Sequence, residues 1–162
     1  MSAQLNLKRN ENQPIDIGVE RRDRKELADE LSVALADTYV LYGLTQHVHW
    51  NVTGPLFYSL HKLTESQYRE LFESIDEIAE RIRALGLPAP QSFREFADRS
   101  ILGDLPEEAD LQGRIEHMIA DYERAVRRAS LVVQLAESNG DIKTSGMPCA
   151  SGSRNPAINP MS

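Results

Sequence analysis

The apolar positions Leu27, Leu31 and Leu35 are followed, at steps of three or four, by Thr38, Tyr42, Thr45 and His49. That spacing is one face of a helix running from about Asp23 to Asn51. A second stripe passes through Leu60, Leu63, Leu71, Ile75, Ile78, Ile82 and Leu85, in a stretch from Leu56 to Leu85 that holds no proline or glycine. Pro55 precedes it, where a missing N–H has no helical partner to lose, and Gly86 and Pro88 end it. A third stripe, from about Glu107 to Ser138, is marked by Leu111, Ile115, Met118, Ile119, Tyr122, Val126, Ala129, Val133 and Leu135. The connection 86–109 contains Pro88, Pro90 and Pro106, with SFREFADRS inside it reading as a short helix.

Beyond Asn139 and Gly140 the pattern ends. DIKTSGMPCASGSRNPAINPMS is rich in Ser, Pro, Gly and Asn, and no helical period survives in it. The expectation is an all-α chain of the four-helix-bundle class, with the fourth helix missing or replaced by an irregular C-terminal tail. Its parts are a flexible N-terminal arm (1–22), a helical domain (23–138) and the tail (139–162). Without a fourth helix, an apolar groove stays open along the bundle.

Composition narrows the partners. The chain has 162 residues and a net charge of −7, so nothing draws it as a whole toward DNA or an anionic membrane. No apolar run approaches a membrane span. MSAQLNLKRNENQ has no apolar core of an export signal, and the single cysteine, Cys149, has no internal partner; both fit the cytoplasm. The arm carries Lys8, Arg9, Arg21 and Arg22, but Glu11, Asp16 and Glu20 dilute their charge, so DNA contact is weakly supported.

The candidate chemistry lies on the second helix. His61 and Glu65 are four residues apart and share a face, as do Asp76 and Glu80. Eleven residues separate Glu65 from Asp76, nearly three whole turns, so both pairs lie on one side. Eleven residues also span about 16 Å, whereas a metal–ligand bond is about 2 Å. One ion cannot reach both pairs in one chain. An antiparallel copy of the helix, related by a two-fold axis near its middle, brings His61 and Glu65 of one chain opposite Asp76 and Glu80 of the other, twice over. Imidazole and carboxylate together suit iron, manganese or zinc. His49 ends the inward stripe of the first helix near the turn 51–55, close enough to join this set. His47, about 200° around from that face, reads as surface or interface, and His117 as exposed without a ligand partner. Arg69, Glu70, Glu73, Glu77, Arg81 and Arg83 read as a solvated face, and Trp50 as packing close to the site.

HVHWNVTGPLFYSLHKLTESQYRELFESIDEIAERI (47–82) resembles the signature of the Dps family, the mini-ferritins that protect DNA in starved bacteria. The resemblance implies a ferritin-like four-helix fold and a di-iron site between two-fold related subunits. Its ligands would be His49, His61, Glu65, Asp76 and Glu80, with Trp50 beside the iron to donate an electron or shield it. It further implies oxidation of iron(II), preferentially by hydrogen peroxide, storage of iron(III) inside a twelve-subunit shell, and often a basic N-terminal arm that binds DNA. KTS at 143–145 is similar to the turn that opens the family's fourth helix, and nothing after it is similar to that helix. A shifted reading frame, or a sequence altered beyond about Ser145, is the expectation there.

Overall fold

A computed structural model describes residues 18–147 of the chain, and every regular element in that span is helical. The elements are α1 (Arg21–Asn51), α2 (Phe57–Ala84), α3 (Phe93–Arg99), α4 (Leu111–Ser138) and the single turn α5 (Ile142–Ser145). Among the described residues no helix is long and apolar enough to cross a membrane.

Helix α1 is the common support. Its leucines 27, 31 and 35 are fully buried, with Ile75, Ile78 and Ile82 of α2 and Leu85 just past its end on one side, and Val132 and Ala136 of α4 on the other. A second cluster joins Leu41 and Val48 of α1 to Met118 and Tyr122 of α4 and to Leu102 of the connection. Each of the larger aliphatic side chains taken out of water in this way stabilises the fold by roughly 1.5–3 kcal/mol. α2 returns antiparallel to α1 through a five-residue turn in which Gly54 has φ +83°, a conformation other residues rarely adopt. α4 also runs antiparallel to α1. Along its length Arg114 donates to His47 Nε2 (2.6 Å), Tyr122 and Thr45 share a hydroxyl hydrogen bond (3.1 Å), and Arg128 pairs with Glu30 (2.9 Å). α2 and α4 therefore lean on α1 from two sides and barely meet each other.

The helix ends follow local chemistry. Helix α2 starts at Phe57, two residues after Pro55, rather than on it. It closes in a paired-bond C-terminus in which Leu87 N–H reaches Ile82 O and Gly86 N–H reaches Arg83 O. Gly86 supplies the required positive φ of 93°. Helix α4 begins at Leu111 instead of Glu107, because Asp110 caps it by accepting the Gly113 N–H at 2.8 Å. The connection is held to α1 by Tyr39, stacked on Phe96 at 4.3 Å, and by buried Asp37, which accepts from the Ser100 hydroxyl (2.7 Å) and the Ile101 N–H (2.9 Å). Burial pushes the Asp37 carboxyl above its usual range, against these hydrogen bonds.

Helical structure runs further than the periodicity indicates. After α4, Asp141 caps α5 by accepting the Thr144 N–H, and Met147 joins the main core. The fourth long helix is represented, among the described residues, by this one turn. Arg81, expected on a solvated face, is instead mostly covered: it donates to both Asp141 carboxylate oxygens (2.8 and 2.6 Å) and to the Thr144 hydroxyl (2.7 Å). An arginine this close to an acid on the next segment cannot be told from a surface arginine by helical period alone. Residues 1–17 and 148–162 lie outside the description, and with them most of the expected arm, the later tail and Cys149.

Asp141 is a test of this clamp. Burial works to raise its carboxyl, but the hydrogen bonds from Arg81 and Thr144 outweigh it and hold the group below the ordinary carboxylate value. A depressed folded value contributes stability above the unfolded value, about pH 4, and loses it as pH falls through the folded one. Asp141→Ala should cost about 3 kcal/mol at neutral pH by leaving Arg81 mostly covered without its anion. Denaturant titrations between pH 7 and pH 3 should show the gap between parent and variant closing at the acid end.

Candidate metal centre

His49 lies in the last turn of α1 and His61 in the second turn of α2, and the short turn between the helices brings them face to face. The rings stack with centroids 3.8 Å apart and planes 17° from parallel. Each ring is fixed by the other's main chain. His49 Nδ1 lies 3.0 Å from the His61 carbonyl and 3.2 Å from the Thr64 hydroxyl, while His61 Nδ1 lies 3.1 Å from the His49 carbonyl. A carbonyl oxygen only accepts, so both Nδ1 atoms carry the proton. The Thr64 hydroxyl accepts from His49 because its own hydrogen goes to Leu60 O at 2.7 Å. In the neutral rings, both Nε2 atoms are left with a free lone pair. This is the arrangement by which a backbone carbonyl prepares an imidazole to bind a metal. Aromatic rings complete the packing: Phe57 stacks on His61 (4.9 Å, 21°) and Tyr68 meets His49 edge-on (5.2 Å, 73°).

Glu65 sits one turn beyond His61. Its two carboxylate oxygens are paired with Lys62 Nζ (3.0 Å) and the Arg69 guanidinium (2.7 Å). The hydrogen bond and charge of Lys62, followed by Arg69, hold the carboxyl below its usual range. Asp76 and Glu80 lie three to four turns further along the same stripe and are exposed in the single chain. Asp76 lines an open groove of about 660 Å³ with Tyr39, Phe72 and Phe96. Thus His49 and His61 come together with Glu65 on the next turn, and Asp76 and Glu80 do not join them within one chain. Among the described residues no three His, Cys, Asp or Glu side chains form a cation cage by themselves. Trp50, expected to pack close to the site, is 68% exposed in the single chain, and Phe72, midway along the acidic stripe, is 62% exposed.

The ferritin-like domain model matches residues 28–147. A DNA protection during starvation protein of Bacillus anthracis is 31% identical over 123 residues, which are 76% of this chain and 84% of that protein. The chain belongs to the Dps family. A low-temperature-induced protein of a Nostoc strain is 37% identical over 117 residues, 70% of this chain but 64% of its own length, so this chain spans a little under two thirds of that relative. Among solved structures, the Dps protein of Vibrio cholerae, described as a member of the ferritin-like diiron-carboxylate superfamily, superposes with a TM-score of 0.74 at 28% identity, covering 78% of this chain and 80% of its own.

Several residues around this candidate site escape a reading by period. Thr64 and Tyr68 look like ordinary positions on the inner face of α2, yet they hold His49. His117, expected to be exposed and unpartnered, is half-buried with Nε2 3.2 Å from Asp121, a fully buried acid that also pairs with Arg124. The signal was present: His117 and Asp121 are four apart, with Asp121 flanking the Met118–Tyr122 stripe. His47 is half-buried and accepts from Arg114, which gives it a structural partner.

The tautomers can be measured directly. Long-range ¹H–¹⁵N spectra of the neutral rings should put the proton on Nδ1 in both His49 and His61, with Nε2 bare. A proton on Nε2 of either ring would remove the lone pair on which the metal reading relies.

Proposed function

We propose that the chain is a Dps-type mini-ferritin subunit that binds and oxidises iron(II) at sites shared between two-fold related copies. The observation that carries this reading is the paired His49 and His61 arrangement, which leaves two Nε2 lone pairs beside Glu65 while Asp76 and Glu80 stand exposed on the same stripe, out of reach. The two half-sets are complementary across a two-fold axis at the middle of α2. In that pairing position 61 faces 80, position 65 faces 76, and position 69 faces 72. Exposed Phe72 then falls beside the axis, where an apolar contact between copies is expected.

Iron(II) is the substrate. His49, His61 and Glu65 of one chain would hold it with Asp76 and Glu80 of the partner, and zinc or manganese would compete for the same donors. The carboxylates favour the more highly charged product. With hydrogen peroxide as oxidant, two iron(II) ions each give one electron, the O–O bond breaks, and two protons complete two molecules of water. Taking both electrons at one place avoids releasing hydroxyl radical. Trp50, next in sequence to His49, is the nearest oxidisable indole and would donate an electron when only one iron is present. Storage of iron(III) inside a twelve-subunit shell and protection of DNA in the cytoplasm complete the reading. It draws support from the Dps relatives named above.

The joint variant Asp76→Asn with Glu80→Gln should keep its helical circular dichroism and lose fast iron(II) oxidation by peroxide, by at least about tenfold. Unchanged rates in this variant would refute the shared site. Sedimentation of the parent with its iron separates a dimer that only oxidises iron from a shell that also stores it.

A further inference from the structure

Lys62 and Arg69 have no place in the ligand set, yet they bracket one of its members. Lys62 lies three residues before Glu65 and Arg69 four residues after it, and each takes a different oxygen of the same carboxylate. Both cations are themselves well exposed, at 59% and 66%, so neither is fixed there by packing; the carboxylate is what gathers them.

We infer that Lys62 and Arg69 are built-in counter-cations of the metal site, holding Glu65 while no dication is bound and yielding when one arrives. The inference rests on the shared-site reading given above. In the two-fold pairing each site gathers three carboxylates, Glu65 with the partner's Asp76 and the partner's Glu80, around two imidazoles. Three like charges at such a place repel one another, and the two cations offset that repulsion. A dication seeking the Glu65 oxygens meets two positive charges already bonded to them, so at least one ion pair must open before Glu65 can turn to the metal. Lys62 and Arg69 are therefore positioning residues that weaken binding of a divalent ion and favour its turnover through the site over permanent residence.

The test is equilibrium binding of cobalt(II), a spectroscopically visible ion that stays divalent without added oxidant, to the full chain and its variants. An exposed ion pair is worth up to about a fivefold factor. Lys62→Gln with Arg69→Gln together should therefore bind cobalt(II) about tenfold more tightly, and Arg69→Lys, which keeps the charge, should stay near the parent. Equal or weaker binding by the double variant would overturn the inference. Glu65→Gln separates this from failure of the site itself. If it weakens cobalt(II) binding while the double variant changes nothing, only the counter-cation role falls. If Glu65→Gln leaves binding untouched, the site assignment and the inference fall together.

Discussion

Each of the two stacked histidines donates its Nδ1 proton to the main chain of the helix that carries the other. This reciprocal bond does two things at once. It closes the α1–α2 hairpin at its tip, where the His49 carbonyl, in the last turn of α1, has no donor within its own helix. It also decides which nitrogen of each ring is free. Had either Nδ1 faced solvent, its ring could take either tautomer. With a carbonyl opposite, only one tautomer satisfies both groups, and the fold itself sets the chemistry of Nε2.

The rest of the site inherits its geometry from that tip. α2 leaves the hairpin with Glu65 one turn on, and the core residues Ile75, Ile78 and Ile82 lock its rotation against α1. Asp76 and Glu80 are thereby turned outward, off the buried face. A carboxylate on that buried face would carry the desolvation penalty of an unpaired charge. The exposed setting is free of that penalty and leaves both groups ready for a partner of opposite charge.

Much of this was legible in the sequence because it rests on periodicity. The three long helices and the shared face of His61, Glu65, Asp76 and Glu80 follow from steps of three, four and eleven. What period cannot convey is which neighbour a side chain finds across a gap in sequence. Arg81 and Asp141 are sixty residues apart, and each alone looks like a solvated charge. Asp37 and Asp121 interrupt apolar stripes as any helical acid might, and only their contacts with Ser100 and with His117 and Arg124 explain their burial. Trp50 follows the last residue of the α1 stripe, His49, and is therefore exposed in the single chain.

Helix α2 is tied at both ends, and to different neighbours: near its start through His61 to α1, and near its finish through Arg81 to the segment after α4. About 30 Å of helix lies between the two ties, so the rod is fixed like a beam resting on two supports and cannot creep lengthwise without breaking one of them. In the proposed antiparallel pairing of two such beams, tolerance is halved: a displacement of one moves its twin equally in the opposite direction, and the mismatch where they meet is twice the slip. Anchorage at both ends is what such a vernier demands.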